Sequence, residues 1–365
     1  MPEPFKNLIN SKVVSSLAER LQTAGDFNVD AFVSDTVAGL EELELKDRVR
    51  LVASSLRRHM DPDYEIALDH ILRSLPEEAA QSDESGNGFS TWAFCQFVET
   101  YGLDHAEKSI SAMPELTKRF SCEFAIRPYI VSDPETVMKV LARWAYDENV
   151  HVRRLASEGA RPRLPWGMRL QLFVENPEPV IELLELLKDD PSEYVRRSVA
   201  NNLNDISKDH PDRIVQLAKK WMHGANTQRG RLVKHALRSL IKSGHAGALE
   251  LLGFGEPHVS VSFRLREPGI HLGKSLEMVV ELQCDVDQSL LIDYAVHHMK
   301  ANGKHSPKVF KWTTRKVKAG QTLSLERKHA MKEVTTRRYY AGLHKIELLI
   351  NGRSFGTQEF DLVVP

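Results

Sequence analysis

Three acidic side chains and a set of arginines stand at spacings suited to chemistry on a polyanion. Within Glu193–Ile206 the residues Arg197, Asn201 and Asp205 follow one another at i, i+4 and i+8, so they share one polar stripe of a helix. The segment Val152-Arg-Arg-Leu-Ala-Ser-Glu158 matches Val195-Arg-Arg-Ser-Val-Ala-Asn201 at a separation of 43 residues, which puts Arg154 and Glu158 in register with Arg197 and Asn201. Arg231 falls on the same register 34 residues after Arg197. Arginines at equivalent positions of stacked helices line one surface and can meet successive phosphates. The alternative for Arg154 is a pair with Glu158 across one helical turn.

Between the two matching segments lies Glu158-Gly-Ala-Arg-Pro-Arg-Leu-Pro-Trp-Gly167. A tryptophan at such a turn commonly staples onto the following helix. Trp166 is also flanked by Arg161, Arg163 and Arg169, and basic residues around an aromatic suit a nucleic-acid surface. Glu123, in Phe120-Ser-Cys-Glu-Phe-Ala-Ile-Arg-Pro128, has mostly apolar neighbours. A partly buried carboxylate needs a partner or a function, and Arg119 or Arg127 is the nearest partner in sequence.

These residues depend on helices to position them. From Ser11 to about Phe254 apolar residues recur at helical spacing. Helices are expected over Leu40–Leu56, Ile66–Leu75, Trp92–Tyr101, Pro134–Tyr146, Pro177–Leu187, Glu193–Ile206, Pro211–Met222, Arg229–Lys242 and His245–Leu252, with Gln81–Phe89 a polar loop. Several start at a proline, which costs nothing in the first turn. Paired helices repeating at about 34–47 residues are the pattern of a HEAT-like α-solenoid, in which each unit buries its apolar face on the next.

After Gly253-Phe-Gly-Glu-Pro257 the pattern turns to alternation: Val259, Val261, Phe263 and Leu265, then Leu276, Met278, Val280 and Leu282. Further strands are expected at Leu290–His298, Lys308–Thr313, Thr322–Glu326, Leu343–Asn351 and Phe355–Val364, with Asn302-Gly303 and Asn351-Gly352 as turns. Seven such strands indicate an Ig-like β-sandwich, by architecture only, since the cysteine pair of antibody domains is missing. The expected domains are therefore 1–254, the HEAT-like helical part, and 255–365, the sandwich. The sandwich has its own basic and aromatic cluster, Lys308 to Lys318 with Arg327-Lys328 and Arg337-Arg-Tyr-Tyr340. Lys311, Arg315 and Lys316 are candidate phosphate contacts, against the alternative of an edge strand protected by lysines. His297 and His298 point to opposite faces of a strand and make a poor joint metal site.

Composition sets limits. The whole chain carries 49 basic and 50 acidic side chains over 365 residues. Residues 1–120 hold 12 basic and 21 acidic groups, 121–255 hold 20 and 17, and 256–365 hold 17 and 12. Neutrality is thus the sum of an acidic front and a basic rear, and does not exclude a polyanionic partner. Cys95, Cys122 and Cys284 form no C-x-x-C pair, which argues against a disulfide framework or a cysteine-rich zinc site. No apolar run is long enough for a membrane span, and the first residues lack the pattern of a signal peptide.

Val152 to Trp166 together with Tyr194-Val-Arg-Arg-Ser-Val-Ala-Asn-Asn-Leu-Asn-Asp205 resembles the AlkC branch of the HEAT-like DNA alkylation-repair glycosylases. The resemblance covers the helical region, and some AlkC proteins also carry a C-terminal sandwich. It implies excision of cationic N-methylated bases, notably 3-methyladenine and 3-methylcytosine, from DNA held bent on a concave basic surface without a base pocket. By motif position it implies that Asp205, Glu123 and Trp166 are catalytic, with Glu158 joining them, and that Arg154, Arg161, Arg163 and Arg197 contact the DNA backbone. A base methylated at N3 is already cationic and leaves as a neutral molecule without a general acid. The carboxylates would stabilise the oxocarbenium-like sugar that remains.

The expected partner is double-stranded DNA containing alkylated bases, met by a monomer in the cytoplasm without metal or cofactor. A non-catalytic HEAT-repeat scaffold and a damaged-DNA-binding protein are the competing readings, because a fold alone does not decide function.

Overall fold

The structure, a computed structural model, describes residues 4–77, 87–335 and 337–364. The described residues form sixteen α-helices followed by eight β-strands. They make two compact units: Met1–Asp209 with Ala225–Ala236, and His210–Gly224 with Leu237–Pro365. The helices Pro211–Met222, Arg238–Lys242 and Ala246–Leu251 therefore group with the sandwich.

In the first unit local chemistry sets the helix starts. Asp63, Asp133 and Asn149 accept backbone N–H groups of the first turns of Tyr64–Arg73, Pro134–Trp144 and Val150–Gly159. The helix expected over Leu40–Leu56 begins instead at Leu45, and Val29–Val37 is a separate helix before it. The buried Arg48 explains the delay. It donates to the carbonyls of Ile9, Glu41 and Leu43, so a loop with unpaired acceptors is satisfied by a side chain rather than by a helix. The expected helix Arg229–Lys242 is broken at Leu237 into Thr227–Ala236 and Arg238–Lys242, which belong to different units. Helix Asn87–Tyr101 starts earlier than expected, and residues 81–86 of the expected loop lie outside the described residues.

In the second unit the strands are β1 (Val259–Leu265), β2 (Gly269–His271), β3 (Ser275–Cys284), β4 (Gln288–Met299), β5 (His305–Val317), β6 (Thr322–Ala330), β7 (Gly342–Ile350) and β8 (Arg353–Val363). They form a three-stranded sheet, β1-β3-β6, and a five-stranded sheet, β2-β8-β7-β4-β5. Seven strands match the expected ones. The eighth, β2, is three residues long, too short to show alternation, and pairs parallel to β8. The core takes the alternating residues of both sheets, including Met278, Val280, Ile292, Tyr294, Ile346, Leu348 and Phe360. The turn at Asn351-Gly352 has positive φ at both residues, 48° and 77°, as a two-residue type I′ hairpin requires. Gly352 is also needed for space, because a Cβ there would lie 2.5 Å from the Cα of Gly244.

β5 is an edge strand, and its register against β4 shifts at Trp312. Lys311 pairs with Asp293 and Lys316 with Ser289, positions separated by an even number on β4, so the extra residue brings Lys311 and Lys316 to one face. Arg315, opposite Leu290, lies on the other face. Arg327 and Lys328 belong to β6, in the other sheet, so the basic cluster of the sandwich is divided between two sheet edges. Among the described residues no helix is long and apolar enough to cross a membrane.

Candidate active site

Helix Val150–Gly159 buries Val152, Leu155 and Ala156, and helix Glu193–Ile206 buries Val195, Val199 and Leu203. The polar residues between these stripes then fall beside each other. Gly159 allows a close approach at one point, since a Cβ there would meet Ile126 at 2.6 Å. Behind the pair lies Arg127, which is fully buried. It donates to the carbonyls of Gly159 (2.8 Å) and Met168 (2.8 Å from Nε) and so ties the 160–170 loop to helix Ile126–Ser132. Burial pulls its guanidinium pKa down to about 10.

The three expected carboxylates are joined in one line of ion pairs. Arg154 Nη1 donates to Glu123 Oε2 at 2.7 Å, and its Nη2 lies 3.5 Å from Glu158 Oε1. Arg161 donates from Nη1 to Glu158 Oε1 at 2.6 Å and from Nε to Asp205 Oδ2 at 2.8 Å. Lys208 Nζ closes the line on Asp205 Oδ1 at 2.9 Å. Ser121 donates to Glu123 at 2.9 Å, and Ser198 donates to Glu158. Burial alone would lower the pKa of Arg154 and of Arg161, but the carboxylates outweigh it and the net direction is upward for both. Glu123 thus takes its partner from 31 residues away. The expected partners are used elsewhere: Arg119 is paired with Glu115 and Arg127 is spent on carbonyls.

The other expected residues separate by exposure. Trp166 sits at φ 65° in the left-handed region, and its indole is 67% exposed, so it is not stapled onto the next helix. Its carbonyl accepts from Lys46 Nζ at 2.7 Å. Arg163 makes a two-pronged pair with Asp209. Arg161 is 7% exposed, with its guanidinium between two carboxylates. Arg197, paired with Glu193 across one turn, and Arg231 line a common recess of about 250 Å³ between Glu193–Ile206 and Thr227–Ala236, as the 34-residue register implied. Lys311, Arg315 and Lys316 are exposed in the separate second unit.

Several residues of the site were not singled out as site residues by the sequence. Tyr194 is half-exposed and lies under the Arg154 guanidinium, 5.0 Å from ring centroid to Cζ. With Phe120, Phe124 and His151 it lines a recess of about 270 Å³ whose polar lining includes Glu123, Arg154, Ser121 and Arg119. Ser198, Lys208 and Arg127 complete the surroundings of the carboxylates. Tyr194 and Ser198 stand in the Tyr194–Asp205 segment and Arg127 near Glu123 in the sequence, but no spacing signalled the contacts they make. A larger groove, about 780 Å³, is lined by Met138, Leu172, Phe173 and Leu183 and shares no residue with the cluster.

Arranged in this way, carboxylates at the end of two buried guanidiniums can hold a cationic group, and an exposed aromatic stands on the adjoining loop. Residues 119–240 match the family described as "DNA alkylation repair enzyme", and residues 260–364 match the C-terminal Ig-like domain of the uncharacterised protein YhaZ. YhaZ of Bacillus subtilis (strain 168) is 38% identical over 98% of this chain and 99% of its own. A structure of the Pseudomonas fluorescens alkylpurine DNA glycosylase AlkC, bound to DNA containing an abasic site analogue, superimposes with a TM-score of 0.91. It is 34% identical, over 99% of this chain and all of that one. The chain belongs to the AlkC branch of the DNA alkylation repair enzymes.

Proposed function

We propose that this protein is a DNA glycosylase that hydrolyses the N-glycosidic bond of cationic N-alkylated bases such as 3-methyladenine and 3-methylcytosine. The observation that carries the reading is the linked line Glu123–Arg154–Glu158–Arg161–Asp205, in a chain that resembles an alkylpurine DNA glycosylase along its whole length. We read residues 1–254 as HEAT-like repeats carrying the active site and residues 255–365 as an accessory DNA-contacting sandwich.

The lesion supplies its own leaving-group activation, because a cationic base departs neutral. The protein's task is the charge left on the sugar. Glu123, Glu158 and Asp205 stabilise that oxocarbenium character, and one of them orients or deprotonates the attacking water. Trp166 offers an indole face to sugar and base. Arg154 and Arg161 hold the carboxylates apart and aimed. Arg163, Arg197 and Arg231 contact phosphates, with Lys311, Arg315 and Lys316 as the contribution of the sandwich. A neutral lesion needs protonation to leave and is expected to be a poor substrate.

The test is release of methylated bases from alkylated duplex DNA by the purified protein. Methylated purine or cytosine should appear as the free base, with an abasic site left behind. Binding without release would replace the enzyme by a damage-binding protein.

A further inference from the structure

Asp205 is held on both sides by cations of different kinds. Arg161 grips Oδ2 and its side chain is 8% exposed, whereas Lys208 grips Oδ1 from a side chain that is 45% exposed. Lys208 lies in the turn after helix Glu193–Ile206, just beyond the capping residue Ser207, on a flexible stem. It adds charge to a site that does not need it. Glu123, Glu158 and Asp205 are already matched by the guanidiniums of Arg154, Arg161 and the nearby Arg127, so these six groups sum to zero and Lys208 makes the total positive. A positive site repels the cationic base and sugar that the reaction brings to it. Arg127 and Arg161 are buried, the side chain of Arg154 is 17% exposed, and all three are engaged, so they are poorly placed to give way. Lys208 reaches the buried Asp205 from an exposed stem, so of the cations in the line it is the one whose ammonium can return to water.

We propose that Lys208 is a placeholder, occupying in the free protein the position beside Asp205 that the cationic sugar takes during the reaction, and that its displacement tunes the site's selectivity for cations. The inference rests on the glycosylase reading above. Near the C-terminal carbonyls of its helix, the displaced ammonium keeps a favourable environment. Lys208 is then a positioning residue that works by leaving, unlike Arg161, which works by staying.

The test compares two abasic-site duplexes, one with a neutral tetrahydrofuran sugar analogue and one with a cationic pyrrolidine analogue. The quantity read is the ratio of their Kd values for the full-length protein, in which phosphate contacts common to both duplexes cancel. Lys208→Met should raise the preference for the cationic analogue by about tenfold, the effect of removing one charge at close range in a partly screened site. Lys208→Arg should keep the wild-type ratio, since the charge is retained. A ratio that falls or stays unchanged in Lys208→Met overturns the proposal, because a lysine that merely braces Asp205 lowers the preference when lost. A wild-type protein that shows no preference and releases no methylated base overturns the glycosylase reading itself.

Discussion

The two units bury charged and polar groups in opposite ways. Between helices Val150–Gly159 and Glu193–Ile206, each carboxylate has a guanidinium beside it, and the side chains of both partners are 17% exposed or less. In the sandwich, Asp293 is 9% exposed with Oδ1 unpaired, and burial pushes its carboxyl up to about 6 against the opposing pull of Lys311 and the Trp312 amide. His298 is equally enclosed, and burial with the nearby Arg337 takes it down to about 3. A buried group that finds an opposite charge keeps its own, and one that does not moves toward neutrality.

The comparison can be broken most severely at Arg161. Replacing it with Met leaves Glu158 and Asp205 buried without their common partner, and should cost about 3–5 kcal/mol of unfolding free energy. Urea denaturation of the variant reads this directly, and a loss below about 1 kcal/mol would mean that the cluster behaves as a surface pair.

Next in size is Asp205→Asn, which removes charge with little change in shape. Base release under single-turnover conditions should fall about 10²–10³-fold, with binding of an abasic-analogue duplex retained. Near-normal release would move the key role to another carboxylate.

The sandwich should respond with the opposite sign. The folded-state pKa of Asp293 is raised, so the native protein holds its proton more tightly than the unfolded chain. The stabilisation is present below the ordinary aspartate range and is lost as pH rises to about 6. Asp293→Asn should therefore stabilise the protein at neutral pH by about 1–2 kcal/mol, after allowance for solvent screening. It should also flatten the pH dependence of the melting temperature between about 4 and 6. A loss of stability at pH 7 would show that the carboxylate is paired there.

The smallest effect is expected at the strand edge. If Lys311 and Lys316 meet phosphates, the double alanine variant should bind DNA more weakly, with a log–log salt slope shallower by about 1.8. An unchanged slope would return them to the protection of an exposed edge strand.

Much of this architecture is legible without coordinates. Pro134, Pro177 and Pro211 announce helices because proline fits a first turn, and Asn351-Gly352 announces a hairpin because both residues tolerate positive φ. The change from helical to alternating spacing after Gly253 is equally direct. The break at Leu237 and the delayed start at Leu45 were not legible. The second depends on Arg48 joining the nearby carbonyls of Glu41 and Leu43 to that of Ile9, 39 residues away, which no local propensity encodes.

The site divides along the same line. Sequence by itself determined the residue types and register: carboxylates at Glu123, Glu158 and Asp205, and arginines recurring along the helices, because periodicity is a local property. Tertiary structure alone decided which partner each arginine takes. Arg154 and Arg161 are drawn inward by carboxylates up to 44 residues away, Arg197 and Arg231 remain at a shared recess, and Lys208 joins Asp205 from the surface. Partner choice follows distance and desolvation in three dimensions, and an unpaired buried charge costs far more than any local preference can repay.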